Sequence, residues 1–371
     1  MIPINAPQIG EEEITAVIEV LRSGVLTHSL GEGPMVKKFE DAFAKFVEAK
    51  YAFAVNNGTA ALHMAILAVG IEPGDEVIIP SFTFVATAEA VVLAGGRPVF
   101  VDIDPATYNI SPCEIEKAIT PKTKAIVAVD LYGTPADLKH IREIAEKYGL
   151  KVIEDAAQAH GAVYRSKPVG YYADVTCWSF YASKNMTTGE GGMVTTNDPD
   201  IAEKLKLIRS HGEKEKYLSV MLGHNYRMSE LQAAIGYVQL TKLPSFLFKR
   251  RVNAEKLTER LHEVNQLQLP LEAEDCRNSW YLYTIRVKNA NRDKRDLLLH
   301  NLKLRGIGAE VYYATPIHWM PYYRRFGEFH LPETERASAQ VLSLPVHPGV
   351  NLEQVNYIAD TLIEILNQLK L

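Results

Sequence analysis

Residues 124–157 read "KAIVAVDLYGTPADLKHIREIAEKYGLKVIEDAA": an apolar run, an amphipathic stretch and a second apolar run. The two apolar runs are typical of strands that are buried on both faces. The stretch between them ends at Gly149 and is typical of a helix. Because a strand, a crossover helix and another strand form a parallel pair, this segment predicts an α/β fold with helices on both faces of a sheet.

The same alternation extends from about residue 50 to residue 240. The predicted strands and helices there include "YAFAV" (51–55), "GTAALHMAILAVG" (58–70), "DEVIIP" (75–80), "FTFVATAEAVVLAG" (82–95) and "RPVFVDI" (97–103). After Ser229, a candidate N-cap, one long helix is predicted to continue to about Val264. This part of the chain, together with an N-terminal helix, is expected to form a large domain over residues 1–245.

A second region with its own strands and helices follows. A strand is predicted at "WYLYTIRV" (280–287), a helix at "RDKRDLLLHNLKLRG" (292–306) and a strand at "IGAEVYY" (307–313). The last helix starts at Asn351, with Gln354 placed to complete a capping box. We expect a smaller C-terminal α/β domain over residues 246–371.

Composition and charge exclude several classes of protein. The chain has 371 residues, 23% of them charged, and a formal net charge of −5, which argues against general nucleic-acid binding. Three separated cysteines give no CxxC or Cys/His spacing, so no metal site is expected. The first twenty residues lack a basic region followed by an apolar core, and no apolar stretch is long enough to span a membrane. We therefore expect a cytoplasmic protein without membrane or nucleic-acid partners.

Asp155 and Lys184 are the candidate catalytic pair. Asp155 ends an apolar strand, and ligands of open α/β sheets bind at the carboxyl ends of strands, although a turn or cap aspartate is the commoner reading. Lys184 lies in "SFYASKNMTTGEGG" (179–192), one predicted strand later. The two form either a plain ion pair or the amine and the carboxylate that pyridoxal phosphate (PLP) needs, one for a Schiff base and one for its pyridinium nitrogen.

Two further segments suit a phosphorylated aromatic cofactor. In "NNGTAALH" (56–63), Asn57 or Thr59 caps the helix and Gly58 permits a close backbone approach, so a phosphate would meet free N–H groups. A plain strand-to-helix turn explains this segment equally well. In "SFTFVAT" (81–87), Phe84 is either a core residue or a ring that stacks on the cofactor.

Taken together, five motifs resemble a known family. They are "NNGTAALH", "GDEVIIPSFTFVATAEAV", "VIEDAAQAHGA", "SFYASKNMTTGEGGMV" and "HNYRMSELQAAIG". In this order they resemble the PLP-dependent nucleotide-sugar aminotransferases of fold type I, the DegT/DnrJ/EryC1/StrS family. The resemblance covers nearly the whole chain and implies a mostly parallel seven-stranded sheet flanked by helices, plus a smaller C-terminal α/β domain.

The resemblance also implies roles for individual residues. Lys184 would form the Schiff base, Asp155 would pair with the pyridine nitrogen, and Gln158 would lie near the 3-hydroxyl of the cofactor. Phe84 would stack on the ring, while Gly58, Thr59 and Ser179 would hold the phosphate. Asn225, with Arg227 as a further candidate, would come from the neighbouring subunit, which implies a homodimer with shared active sites.

The implied reaction is transamination of a UDP- or dTDP-linked 3-keto or 4-keto hexose, with L-glutamate as amino donor. The candidates for binding the acceptor are Arg227, Tyr312, Tyr313 and His318, and each is equally a core or surface residue. PLP-dependent sugar dehydration is an alternative, disfavoured because relatives with that activity have histidine where this chain has Lys184. Cysteine desulfuration is disfavoured because Cys177 lies within a predicted strand. A non-catalytic regulatory protein that binds PLP or a sugar nucleotide is the alternative from another class.

Overall fold

A seven-stranded sheet lies at the centre of the computed structural model, which describes residues 1–369. Its strands are β1 (Tyr51–Val55), β2 (Glu76–Pro80), β3 (Arg97–Val101), β4 (Thr123–Val129), β5 (Lys151–Asp155), β6 (Val175–Ser179) and β7 (Gly192–Thr196). In space their order is β1, β7, β6, β5, β4, β2, β3. Only β7 runs antiparallel to its neighbours β1 and β6, so the prediction of a mostly parallel seven-stranded sheet is confirmed.

Helices pack against both faces of this sheet and around the second core of the chain. They are α1 (Glu11–Ser23), α2 (Pro34–Phe46), α3 (Gly58–Ala68), α4 (Ala86–Leu93), α5 (Pro112–Ala118), α6 (Leu138–Tyr148), α7 (Pro199–Arg209), α8 (Glu230–Leu261), α9 (Arg292–Leu304), α10 (Pro332–Gln340) and α11 (Leu352–Leu369). Short 3₁₀ turns occupy Leu131–Gly133, Ile317–Trp319 and Tyr323–Phe326. None of the helices between residues 1 and 369 combines the length and the apolarity that a membrane crossing requires.

Strand β2 shows why the central strands are apolar at every position. Val77 and Ile79 belong to the core that contains α3 and α4, whereas Ile78 belongs to the core that contains α5 and α6. Because successive side chains of a strand point to opposite faces, a strand covered on both sides needs apolar residues throughout. The continuous apolar runs of the sequence therefore predicted the covered sheet correctly.

The predicted helix ends are also found. The side chain of Asn57 accepts a hydrogen bond from the Ala60 N–H at 2.8 Å and caps α3. Ser229 and Gln232 form a capping box at the start of α8. Asn351 and Gln354 do the same for α11, with the Gln354 N–H donating to Asn351 Oδ1 at 2.9 Å and the Asn351 N–H donating to Gln354 Oε1 at 3.0 Å.

A second core lies around a three-stranded antiparallel sheet. Its strands, in spatial order, are β8 (Leu267–Gln268), β9 (Tyr283–Val287) and β10 (Val341–Leu344). The predicted strand at residues 307–313 is wrong, because the segment forms only isolated bridges from Ile307 to Ile2 and from Glu310 to Ser343. The segment divides its backbone contacts between the N-terminal residues and β10, so no continuous ladder forms.

The division of the chain at residues 245 and 246 stays a prediction. Helix α8 runs across that position and contains Pro244 just before it. Residues from its second half, such as Leu257, belong to the second core. Ile2 belongs to the same core, so the first residues of the chain pack with its last third.

Candidate active site

A cavity of about 720 Å³ opens where the carboxyl ends of β5 and β6 meet the N-terminus of α3. Its position at the ends of parallel strands is where ligands of α/β sheets bind. The predicted residues that line it are Gly58, Thr59, Phe84, Asp155, Gln158, Ser179, Lys184, Tyr312 and Tyr313. The sheet therefore brings into one cavity residues from five separate segments of the chain.

Asp155 is the buried acid of this cavity. Its Oδ2 accepts a hydrogen bond from Thr87 Oγ1 at 3.0 Å, and its Oδ1 accepts one from the Ala157 N–H at 3.2 Å. Burial raises the pKa of Asp155 above its ordinary value, while these two bonds and the charge of Lys184 act in the opposite direction. The carboxylate is thus desolvated but has both oxygens partnered, which suits an acid that must pair with a cation.

Lys184 lies on the turn that follows β6 and is half-buried. Its backbone N–H donates to the carbonyl of Tyr181 at 2.9 Å, which fixes the turn. The side chain extends over the ring of Tyr281, with Nζ 4.7 Å from the ring centroid. The amine therefore faces the cavity against an aromatic face.

The N-terminus of α3 forms an anion-binding end of the cavity. Because Asn57 takes the N–H of Ala60, the N–H groups of Gly58 and Thr59 remain as donors without an acceptor within the helix. A Cβ at position 58 would come within 2.8 Å of Ser179 Cβ, so only glycine permits this approach of helix and strand. Two backbone donors, a hydroxyl and the positive end of the helix dipole converge there, and they suit a phosphate.

Gln158 and Phe84 border the space between the acid and the anion-binding end. Gln158 Oε1 accepts the Tyr132 N–H at 2.7 Å, and its Nε2 donates to the hydroxyl of Tyr313 at 3.3 Å. The orientation of the amide is thereby fixed, and its NH₂ group keeps a second hydrogen. Phe84 is 54% exposed, and its ring centroid lies 6.1 Å from that of Tyr313. A flat ring bound between Gln158 and Phe84 would therefore have the aromatic face of Phe84 on one side.

Three predicted site residues do not line the cavity. Asn225 is exposed and forms a backbone bridge with Ser210. Arg227 forms a bridge with Val55. His318 is buried in a separate contact, with its Nδ1 2.7 Å from Ser81 Oγ. The roles assigned to these three residues stay predictions.

Several residues of the site were not singled out from the sequence: Thr87, which bonds to Asp155 from outside the cavity lining, and three residues that line it, Tyr281, His63 and Tyr226. Thr87 lies in the predicted helix 82–95, but nothing in its position along the chain showed that it faces Asp155. Tyr281 follows α8 in the chain, 97 residues after Lys184, and no local sequence signal predicts the contact between them. His63 and Tyr226 also line the cavity, with His63 Nδ1 2.9 Å from the Tyr226 hydroxyl. Burial lowers the pKa of His63 to about 4, so its ring is neutral at ordinary pH.

The arrangement fits PLP. A buried acid lies at one end, a helix N-terminus that tolerates no Cβ at position 58 lies at the other, and a lysine amine faces the same space. Asp155 would pair with the pyridine nitrogen, and Gly58, Thr59 and Ser179 would hold the phosphate. Cys177 is buried in β6, with its Sγ 3.4 Å from the carbonyl of Ala61, and lies outside the cavity lining.

Comparisons with known proteins agree with this geometry. The model of the DegT/DnrJ/EryC1/StrS aminotransferase family matches residues 7–363. A pleiotropic regulatory protein from Geobacillus stearothermophilus is 42% identical over 96% of this chain and 95% of its own. GDP-perosamine synthase from Caulobacter vibrioides is 38% identical over 98% of each chain. The structure of Streptomyces venezuelae DesV in complex with a ketimine intermediate has a TM-score of 0.91 at 38% identity, over 96% of this chain and 94% of that one.

The fold and the site define a PLP-dependent aminotransferase, and structures of similar fold include PLP and PMP forms. Within that class this chain belongs to the DegT/DnrJ/EryC1/StrS aminotransferase family, whose members include sugar aminotransferases. The resemblance stated from the five motifs is therefore confirmed, as are the cofactor and the class of enzyme.

Proposed function

We propose that this enzyme transfers an amino group from L-glutamate to a nucleotide-linked 3-keto or 4-keto hexose, with Lys184 as the lysine that carries the cofactor. The observation that supports this most directly is the convergence of Lys184, Asp155 and the N-terminus of α3 on one cavity. The relative named GDP-perosamine synthase supports a nucleotide-linked sugar as the acceptor. Within this proposal the expected acceptor is a UDP- or dTDP-linked sugar.

The residues at the two ends of the cavity would bind different parts of the cofactor. Bound PLP supplies an electron sink for the carbanion that forms when the donor loses its α-proton. Asp155 keeps a proton at the pyridine nitrogen, because a buried carboxylate favours a cation beside it. Gly58, Thr59 and Ser179 hold the phosphate, so the ring keeps its position while other bonds change. Gln158 donates toward the 3-hydroxyl from an amide that Tyr132 orients.

Lys184 is the proton carrier. With its amine free, Lys184 would accept the proton that the α-carbon of the donor loses and would hold it for return, while bound PLP would supply the electron sink. The same amine would donate and accept the proton in the reverse direction when the keto-sugar follows the departing keto acid. Since the donor product leaves before the acceptor binds, we expect ping-pong kinetics.

The acceptor end of the cavity is assigned to Tyr312 and Tyr313, with Arg227 and His318 as further proposed contacts. Tyr312 and Tyr313 line the cavity, and burial raises the pKa of Tyr312 to about 12, so its hydroxyl stays protonated and can donate. Asn225 is exposed on its own chain, as a residue that reaches a neighbouring site must be. We propose that the enzyme is a homodimer in which Asn225 completes the site of the partner.

Borohydride trapping tests the role of Lys184. Full-length protein is incubated with PLP, reduced with borohydride, digested and mapped by mass spectrometry, with the K184A variant alongside. The expected result is a phosphopyridoxyl label at Lys184 in the wild type and no label at that peptide in the variant. Lys139, which is exposed on α6, serves as the control lysine and should stay unlabelled. A label at another lysine, or none, overturns the proposal.

A half-reaction distinguishes an aminotransferase from a non-catalytic regulatory protein. The regulatory alternative is supported by the name of the relative from Geobacillus stearothermophilus, a pleiotropic regulatory protein. L-glutamate alone should convert the yellow PLP form into the PMP form, with one equivalent of 2-oxoglutarate released. A panel of UDP-, dTDP- and GDP-linked keto-sugars should then restore the yellow form. A protein that is labelled at Lys184 but inert to every amino donor would favour the regulatory function.

A further inference from the structure

Three consecutive residues around the candidate lysine are contacted by one distant segment. The Ser183 hydroxyl lies 2.9 Å from the hydroxyl of Tyr281. The Lys184 ammonium lies 4.7 Å from the centroid of the Tyr281 ring. Asn185 Nδ2 donates to the carbonyl of Ser279 at 3.1 Å. Residues 279–281 therefore contact the lysine and both of its neighbours.

The contacting segment is itself held in place. Arg250 of α8 is 3% exposed, and its guanidinium donates to the carbonyls of Trp280 at 3.2 Å and Tyr281 at 3.1 Å. The Ser279 N–H donates to the carbonyl of Gly133 at 2.9 Å. Trp280 adopts a left-handed φ of 50°, a conformation that a bulky residue keeps only where its surroundings fix it. The placement of the Tyr281 ring is thus imposed by a buried charge and by backbone bonds.

We propose that Tyr281 is a positioning residue for Lys184, an inference that rests on the proposed role of that lysine. The face of an aromatic ring attracts an ammonium within about 6 Å of its centroid. A lysine side chain has four flexible bonds, so a free amine disperses over many rotamers unless something holds it. The face of the Tyr281 ring holds the amine, and the segment that carries the ring is fixed by Arg250 and by backbone bonds. The amine is therefore kept at the cavity during the steps in which it is not bonded to the cofactor.

Competitive acetylation measures this contact directly. Full-length wild type, Y281F and Y281L are loaded with pyridoxamine 5′-phosphate, which leaves Lys184 free, and treated with trace acetic anhydride at one pH. Mass spectrometry then gives the acetylation of Lys184 relative to that of Lys139. Loss of the ring in Y281L should raise this ratio about two- to fivefold, because the amine is no longer held against the ring face and becomes more accessible to the reagent. Y281F keeps the ring face and should stay within about twofold of the wild type.

Steady-state kinetics distinguish a positioning role from a purely structural one, because they separate an effect on kcat from an effect on KM. We expect Y281L to lower kcat about tenfold with little change in either KM, because a misplaced base affects the proton transfers rather than binding. Y281F should restore most of the loss. Y323L is the matched control, since Tyr323 is 4% exposed, close to the 5% of Tyr281, and packs on Phe100 outside the cavity lining. Y323L should change neither the acetylation ratio nor kcat. Y281M, with a flexible apolar side chain, replaces Y281L if that variant does not fold.

The outcomes are distinct. An unchanged acetylation ratio in Y281L, or equal changes in Y281F and Y281L, would overturn the positioning role. Absence of the borohydride label at Lys184 in the wild type would instead overturn the proposed function. The acetylation ratio depends only on the chain and the added pyridoxamine phosphate. A failure of the positioning role is therefore distinguishable from a failure of the proposed function.

Discussion

The hydroxyl of Thr87 donates a hydrogen bond to Oδ2 of Asp155 over 3.0 Å, although the two residues lie 68 positions apart in the chain. The bond joins the first turn of α4 to the end of β5. Burial raises the pKa of Asp155, and this hydrogen bond lowers it. Thr87 therefore favours the ionised form of the acid that is proposed to pair with the cofactor.

We predict that T87V destabilises the protein by about 1–3 kcal/mol, because it leaves a buried carboxylate oxygen without its donor. The variant should also weaken PLP binding. Burial raises the pKa of Asp155 above its ordinary value, so the penalty should be small at low pH and should grow as the pH rises past this raised folded-state pKa. Urea unfolding at pH 4 and pH 7 measures it. T87S keeps the hydroxyl and should behave like the wild type; equal losses in T87S and T87V would contradict the prediction.

We predict that G58A loses affinity for PLP by tenfold or more, a loss of about 1.4 kcal/mol. The added Cβ would meet Ser179 Cβ at 2.8 Å and force the helix N-terminus away from the strand. Fluorescence titration with PLP measures the affinity. The control is G70A, just after the other end of α3. A Cβ there meets open space, but the residue has a φ of 87°, which is strained for alanine. G70A should cost stability without changing the affinity for PLP, and an unaffected G58A would exclude the close approach.

A pair of buried acids predicts a loss of stability as the pH rises. Burial raises the pKa of Asp130, and burial together with the charge of Asp130 raises the pKa of Glu154 well above its ordinary value. An acid whose pKa is higher in the folded state contributes its full stability only below its unfolded pKa, and this contribution is lost as the pH rises toward the folded value. The unfolding free energy should therefore decline between about pH 4 and neutrality, by up to about 1.4 kcal/mol per pH unit for each proton.

The E154Q variant removes one of these acids, so its stability should decline less steeply over the same range. Unfolding free energies at several pH values measure the difference. E143Q changes an exposed glutamate on α6 and should reproduce the wild-type slope. Parallel profiles for E154Q and the wild type would show that this pair does not take up protons on folding.

Subunit mixing tests the shared site. K184A and N225A are each expected to lose most activity alone. If Asn225 serves the partner, a dimer of the two variants has one intact site, and random mixing restores activity to about a quarter of all sites. A mixture of K184A with T59A is the control, because both residues line the cavity of the same chain. It should regain no activity, because in every mixed dimer one site lacks Lys184 and the other lacks Thr59. If native mass spectrometry shows that mixed dimers form, no recovery in the K184A and N225A mixture would assign Asn225 to its own chain.

Much of the fold was predictable because its signals are local. The apolar runs of β2, β4 and β5, the glycine after α6 and the capping residues Asn57, Ser229 and Asn351 each act over a few residues. The segment 307–313 was mistaken for a strand because its partners, Ile2 and Ser343, come from opposite ends of the chain. Local pattern has no access to such pairings.

The sequence by itself determined the parallel order of elements and the placing of Asp155, Lys184 and Gly58 at the ends of strands and at the start of a helix. These positions follow from periodicity and from turn chemistry, which depend on neighbours in the chain. Only the tertiary structure decided that Thr87 partners the acid and that Tyr281 faces the amine. Both contacts join residues far apart in sequence, and they exist because packing of the sheet and helices brings those side chains within bonding distance.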